Sequence, residues 1–487
     1  MSQAPPRLYS AERPLNWDDT PAPVSQAPAS PAPAAGAARV RRLGWLDALR
    51  GVAALCVVYA HFGTRVLPAV HSAIYQAFDP GLYGVLVFFM ISGYIVPASL
   101  ERRGSVRSFW LGRVFRLFPL FGFAIGAVLL LHGFGYASVR GTNDNVTASV
   151  LSHLFMLNDL LGQSNVIVVL WTLSYEMVFY VLLTALFTSG VHRRSGWYGA
   201  GFAAAAVLLG GVLPTVWLSY SSLGLTSVAL AGDVLVIGGV ALAVASRGLP
   251  RAVGAWLAAA TALVLIAVNG RRFPYEGLTI LALMFTGTML YRAERGDYPW
   301  RRAIPIAVAV FVLAILAGRW DISTWNLWSA VLHQAAYRQW VTAVGGAGLT
   351  FAVGLACRSK KVPAVFAWLG LVSFSVYLVH PLMVEVFRRV KITQGPHPFP
   401  EQLLMVGVFL VILLALCWLT HRFVESPMQR QGRRVAGWLE TWFGPDTLPA
   451  VPAGPSATPS HQAIAPHLPP STHEPPPSRE SSETAAA

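Results

Sequence analysis

Charge is scarce in this chain. Only 12% of its 487 residues are Asp, Glu, Lys or Arg, about half the share usual in a soluble domain. Hydrophobic residues make up 55% and mean hydropathy is +0.53, which excludes a large water-soluble core. Cysteine is scarcer still. Cys56, Cys357 and Cys417 each lie within or at the end of an apolar run and form no CxxC pair, so neither a disulfide framework nor a zinc site is supported and no metal is expected. Strand-like alternation and internal repeats are missing, which leaves all-α as the class for a spanning chain. Residues 1–38 lack the apolar segment of a cleavable leader, so the first span is expected to act as an uncleaved anchor. The formal charge of +14 would suit nucleic acid. Arginines at cytoplasmic helix ends account for it instead, and no nucleic-acid partner is expected.

What is present is a series of apolar stretches. Those near 44–66, 81–100, 114–134, 166–189, 197–219, 226–246, 252–269, 277–291, 303–318, 339–357, 364–386 and 402–421 are candidates to cross a bilayer. Two of them, 277–291 and 303–318, are short. The expected fold is therefore an all-α, polytopic transmembrane helix bundle of ten to twelve spans with disordered termini. The membrane domain covers 41–434, between a Pro/Ala-rich tail (1–40) and a Pro/Ser/Ala-rich tail (435–487). Neither tail can bury enough apolar surface to offset chain entropy.

Orientation follows from the basic residues. Arg41 and Arg42 precede the first span, and Arg102, Arg103, Arg107, Arg113 and Arg116 separate the second from the third. Arg193, Arg194, Arg301, Arg302, Arg358, Lys360, Lys361, Arg422, Arg430, Arg433 and Arg434 fall on the same side. Both termini are then expected in the cytoplasm, although Arg271, Arg272, Arg388, Arg389 and Lys391 land outside.

The first span, GWLDALRGVAALCVVYAHFGTRV, holds Asp47, Arg50 and His61. Eleven residues of helix return to within about 20° of the start and rise about 16 Å, so Arg50 and His61 share a face. Asp47 lies about 40° from His61 on the same wheel. Ionisable groups in lipid are costly and face polar cavities by default. Asp47 and Arg50, at i,i+3, can pair. A histidine titrating near neutrality can take a proton from a hydroxyl.

Four further segments carry candidates. In FFMISGYIV (88–96), Ser92 and Gly93 fit close helix packing as well as a substrate contact. In RSFWLGRVFRLFP (107–119), Arg113 and Arg116 face the same way, which suits bidentate phosphate binding or a topological anchor. Pro119 is expected to stop or bend that helix. In WTLSYEMVFY (171–180), Glu176 sits mid-span among Trp171, Tyr175 and Tyr180, where a carboxylate must be paired or neutral. It fits a partner for His61 or Arg50, a ligand for a sugar hydroxyl, or a structural ion pair. In SFSVYLVHP (373–381), His380 precedes Pro381 near the outer end of its span, as a cap or a site residue. Asp233 is a weaker candidate, and Glu425 in HRFVESP reads as interfacial.

In this order the segments resemble the acyltransferase-3 family of integral membrane O-acyltransferases. LDALRG with Arg50-x10-His61 is similar to the family's LDxLRG and Arg/Lys-x10-His, and FFMISGYI to its FFxxSGF. Arg113-x-x-Arg116 followed by Pro119 resembles its RxxR helix. WTLSYEMVFY is similar to WSLSxExxFY and places Glu176 on the family's glutamate; FSVYLVHP is similar to YSLYLxH and places His380 on that histidine. HRFVESP resembles the terminal ExP. The likeness covers about residues 43–428. Met177 stands where a second glutamate is usual.

The resemblance implies transfer of an acyl group, usually acetyl, from acyl-CoA to a carbohydrate hydroxyl in a bacterial-type inner membrane. Acyl-CoA would be a donor substrate rather than a permanently bound cofactor, and a glycan or glycolipid the acceptor partner. His61 would be the general base or an acyl relay. Arg50 would stabilise negative charge or fix the donor, with Asp47 orienting it. Arg113 and Arg116 would hold CoA phosphates, and Glu176 would support the His/Arg pair or bind the sugar. Ser92, Tyr175 and His380 are expected to bind substrate or support the residues that do. The rise between Arg50 and His61 implies a tunnel, with donor from the cytoplasm and acceptor from outside. The competing reading is a transporter or flippase of an anionic or glycan-linked substrate, which intramembrane charge fits equally well; the inverted repeats common in transporters are not evident.

Overall fold

A computed structural model describes residues 43–137, 146–319, 330–390, 397–444 and 446. The tail expected at 1–40, Arg41, Arg42, Lys391 and residues beyond Asp446 lie outside them. Among the described residues there is no β-strand. α1 (Gly44–Val66) leads through α2 (Pro68–Tyr75) into α3 (Pro80–Arg103) and α4 (Val106–Gly133). α5 (Val146–Leu154) and a 3-10 turn precede α6 (Trp171–Thr188). Then come α7 (Ser195–Leu209), α8 (Trp217–Tyr220), α9 (Gly224–Ala245), α10 (Gly248–Val268), α11 (Pro274–Glu294) and α12 (Trp300–Ala317). α13 (Ala330–Ala356), α14 (Ala364–Arg389), α15 (Phe399–Thr420) and α16 (Ser426–Phe443) complete the order. Among the described residues, ten helical segments are long and apolar enough to cross a membrane, within the expected range. The face on which α1 begins is called the near face below, and the face on which it ends the far face.

Local chemistry sets the helix limits. Asp79 caps α3, its Oδ1 accepting from the N–H groups of Gly81 (2.8 Å) and Leu82 (3.0 Å), and Pro80 takes the first turn, where a missing N–H costs nothing. Gly104, at φ +62°, closes α3. Ser105 caps α4 through the Ser108 N–H at 3.1 Å. Of the two outcomes expected at Pro119, a stop is excluded: α4 runs on to Gly133, and buried Leu117, Leu120 and Phe121 hold it against its neighbours. Two other expectations need correcting. The stretch 197–219 is not one span, because α7 ends at Leu209 and Gly210, Gly211 and Pro214 break the helix before α8. The last helix passes Arg434 and ends at Phe443, so residues 435–443 belong to the helical body.

Glycines let particular helices meet backbone to backbone. A Cβ on Gly93 would overlap the Met284 backbone, and one on Gly287 the Met90 carbonyl. Thr288 Oγ1 donates to the Gly93 carbonyl across this contact at 2.8 Å, tying α3 to α11. α1 and α14 approach in the same way: a Cβ on Gly51 would lie 2.7 Å from Leu369 Cβ, and one on Gly370 would overlap the Asp47 carbonyl.

Candidate active site

α1 and α14 run in the same direction and in register. His61 follows Gly51 by ten residues (61 − 51), and His380 follows Gly370 by ten (380 − 370). The approach made at the glycines is therefore repeated at the histidines, about 15 Å further along. His380 Nε2 lies 3.3 Å from His61 Nδ1, with ring centroids 5.1 Å apart. Each Nδ1 also faces a carbonyl one turn back, His61 that of Val57 and His380 that of Val376, both at 2.9 Å. A carbonyl only accepts, so both Nδ1 atoms carry the proton. The bare Nε2 of His380 then accepts from His61 Nδ1–H, which it shares with the Val57 carbonyl. This network leaves His61 Nε2 as the unprotonated, basic atom. His380 is fully buried, and α14 continues through Pro381 to Arg389. It is thus not a helix-end cap.

Cavities that share wall residues follow one another from the near face to the far face. On the near face, about 490 Å³ is bounded by Asp47, Arg50, Arg102, Arg116, Glu294 and Arg295, with Glu425 and Gln429. It shares Arg50, Arg116, Ser373 and Phe374 with a neck of about 80 Å³ that also holds Ser92, Glu176 and Tyr377. In the neck, Glu176 Oε1 accepts from the Tyr180 hydroxyl and faces Ser92 Oγ at 3.5 Å. Tyr377, its hydroxyl 2.8 Å from Thr172 Oγ1, and Val85 are common to the neck and a far-face cavity of about 330 Å³.

His61 lines that far-face cavity together with Trp171, Tyr275, Trp340, Asp79, Glu276 and Arg272. The Arg272 guanidinium lies 4.1 Å above the Trp171 ring and 3.3 Å from Glu276 Oε2. The Tyr75 hydroxyl donates to Asp79 Oδ1 at 3.1 Å. Aromatic faces with fixed carboxylates and a guanidinium suit a ring that has apolar faces and a hydroxylated edge. A second far-face cavity of about 400 Å³ also reaches His61, between Arg65, Arg271, Glu385 and Asn165. Just behind it, in the 155–167 loop, burial lifts the Asp159 carboxyl to about 6 against the pull of Arg272, an Asn165 hydrogen bond and Arg271.

The structure thus divides the sequence-predicted residues into groups. Asp47, Arg50, Arg116, Glu176 and Ser92 gather on the near side and in the neck; His61 and His380 meet further along. Glu176 keeps company with Arg50 and Arg116 and not with His61. Gly93 serves helix packing, while Ser92, about 100° away, faces the neck. Arg113 is 7% exposed, donates to Ser99 Oγ at 3.1 Å and lies over the Phe109 and Tyr180 rings. Tyr175 is buried against Gly277 and Trp171 and lines none of these four cavities; one helical step from Glu176 turns it into the core. Glu425 is 6% exposed, bonded to His421, Ser375 and Gln429, and lines the near-face cavity. Asp233 is buried and accepts from Ser152 Oγ at 3.3 Å. Tyr377, Asp79 and Glu276 were not singled out by the sequence reading, and Arg272 was read only for topology. Tyr377 stands one turn before His380 in the quoted segment, and Asp79-Pro80 is a helix-start signal, so both had a local sign.

Residues 43–422 match the family model described as an acyltransferase domain. The chain is similar to the acyltransferase MdmB of Streptomyces mycarofaciens, 25% identical over 413 residues covering 81% of this chain and 94% of that protein. It is also similar to the putative acetyltransferase ORF330 of Acidianus two-tailed virus, 28% identical over 149 residues (30% of this chain, 40% of that one). Nodulation protein 10 of Rhizobium leguminosarum bv. viciae is 30% identical over 139 residues, 26% of this chain and 37% of its own. No solved structure matches the chain.

Proposed function

The chain belongs to the acyltransferase family matched over residues 43–422, and from that premise we propose that it transfers an acyl group, most simply acetyl, from acyl-CoA to a hydroxyl of a carbohydrate. It is a multi-pass membrane enzyme. The near face, with Arg102, Arg116, Arg193, Arg301 and Arg433 around it, is the cytoplasmic side of a bacterial-type inner membrane by the distribution of arginine, and CoA approaches there. The glycan approaches from the far face. The observation that carries this reading is the His61–His380 contact at the end of a string of cavities that begins among arginines.

The geometry supports the following steps. The acceptor hydroxyl gives its proton to His61 Nε2 as its oxygen attacks the thioester carbonyl. The tetrahedral intermediate collapses, the C–S bond breaks, and the leaving CoA sulfur recovers the proton from His61. His380 holds the His61 ring in the tautomer that leaves Nε2 basic. Arg50, about 16 Å from His61 along α1, is too far to stabilise the oxyanion. It instead holds the donor where the pantetheine arm passes the neck, with Arg116, Glu176 and Ser92. Asp47 lines the same near-face cavity as Arg50 and orients it.

The test is CoA release and label transfer by the purified chain given labelled acetyl-CoA and a glycan extract. Loss of a general base costs about 10²- to 10⁴-fold, so His61→Ala loses turnover by that factor and keeps donor binding. Undiminished turnover in His61→Ala would remove the centre of the reading.

A further inference from the structure

We propose that α16, which lies beyond the family-matched residues, completes a binding cleft for the nucleotide phosphates of the donor. This rests on the acyl-CoA reading and extends it. The cleft holds about 400 Å³ between the start of α4 and α16. Arg103, Arg113, Arg116 and Arg433 line it, with Glu440 the one carboxylate among the described residues of its walls. Arg103 and Arg433 form an exposed rim and Arg113 the buried base. Among the described residues none of the four arginines is ion-paired within 4.0 Å. Arg113 Nε is buried with no hydrogen-bond partner. Buried donors are rarely left so, and several planar guanidiniums converging on one space call for a polyanion whose paired oxygens accept in bidentate fashion.

Arg433 is placed by construction. Gly432 lies flat on Phe115, where a Cβ would stand 2.5 Å from Phe115 Cβ, and so brings α16 against α4. Beyond the end of α16, Asp446 is 3% exposed and paired with buried Arg251, and its Oδ2 accepts from the Arg107 N–H at 2.9 Å and Ser105 Oγ at 3.3 Å. Arg247 also donates to the Phe443 carbonyl at 2.9 Å. The helix is therefore latched at its far end. On the other wall a Cβ at Gly112 would stand 2.6 Å from Arg103 Nη1, so that glycine leaves room for the Arg103 guanidinium. The cleft shares Arg116 and Gln429 with the near-face cavity, and Arg116 also lines the neck. Phosphates gripped here leave the rest of the donor in line for His61.

The experiment measures equilibrium binding of CoA and of pantetheine, which lacks the nucleotide, to the purified full chain and to Arg433→Ala and Glu440→Gln. A charge-assisted hydrogen bond is worth about 10- to 100-fold in affinity. Arg433→Ala is expected to weaken CoA by at least about 10-fold and to leave pantetheine unchanged. Glu440→Gln is expected to tighten CoA, a gain that misfolding cannot produce. CoA bound equally by all three proteins overturns the inference and leaves the acyl-CoA reading standing; no CoA binding by the wild-type chain overturns both. The same variants in phosphatidylcholine vesicles with and without phosphatidylglycerol separate the donor from a lipid headgroup. If Arg433→Ala changes only phosphatidylglycerol retention, the cleft belongs to lipid and the proposal is wrong.

Discussion

Gly51→Ala tests whether the close contact between α1 and α14 sets up the histidine pair. The added Cβ would lie 2.7 Å from Leu369 Cβ, which sits on the backbone and cannot swing away. Ordinary contact begins at 3.4 Å, so the helices must part by about 0.7 Å. Carried along two parallel helices to the histidines, that shift takes the 3.3 Å His380–His61 contact to about 4.0 Å, beyond hydrogen-bond reach. His61 then loses its second anchor and its ring is free to turn. A misplacement of about 1 Å can cost about 10²-fold in rate, so the expected loss in kcat is about 10-fold. Stability falls by about 1–3 kcal/mol from overpacking. Acetyl transfer is measured beside CoA binding and the melting temperature, with Gly407→Ala as the control because a Cβ there meets nothing. CoA binding stays intact in both variants. Wild-type kcat in a folded Gly51→Ala chain would refute the coupling.

Two other outcomes follow from the far face. Trp171→Ala removes the ring under Arg272, and Glu276→Gln removes its carboxylate partner; each is expected to raise KM for the acceptor about 10-fold while KM for acetyl-CoA stays fixed, and a change confined to acetyl-CoA would contradict the assignment of that cavity. Asp159 is 2% exposed, and burial lifts its pKa from 3.8 to about 6. A carboxyl raised in the folded state adds stability below its unfolded pKa and loses it as pH climbs through the folded value. The purified protein should thus lose about 3 kcal/mol between about pH 4 and pH 6 from this group, and Asp159→Asn should flatten that slope in a melting series; an unchanged slope would mean the carboxyl is already ionised.

Most of the helical framework was legible because it rests on local rules. Apolar length marks spans, and the Asp79-Pro80 and Gly104 signals mark helix ends. The exceptions have local causes too: Gly210, Gly211 and Pro214 shorten the seventh helix, while packing carries α4 through Pro119. Within one helix, periodicity placed Arg50 and His61 on a common face, and both line cavities. Tyr175 meets the far-face cavity only through Trp171, its edge-to-face neighbour, because one residue is about 100° of turn and a neighbour of Glu176 need not share its surroundings.

By itself, then, the sequence determined an all-helical membrane bundle, the ionisable residues in it and the family to which it belongs. Apolar length and spacing along single helices carry the first two, since 1.5 Å and 100° per residue hold wherever the helix packs; the likeness of ordered motifs carries the family. Only the tertiary structure decided which residues meet. Gly51 and Gly370 select the pair of helices that touch and their register, and that register sets His380 against His61 while leaving Glu176 with Arg50 and Arg116 in the neck. The same is true of Arg433, which reaches the arginines of α4 only because Gly432 and the Asp446 latch fold α16 back onto that helix. Contacts between distant segments depend on close packing of side chains in three dimensions, and no periodicity within one segment encodes them.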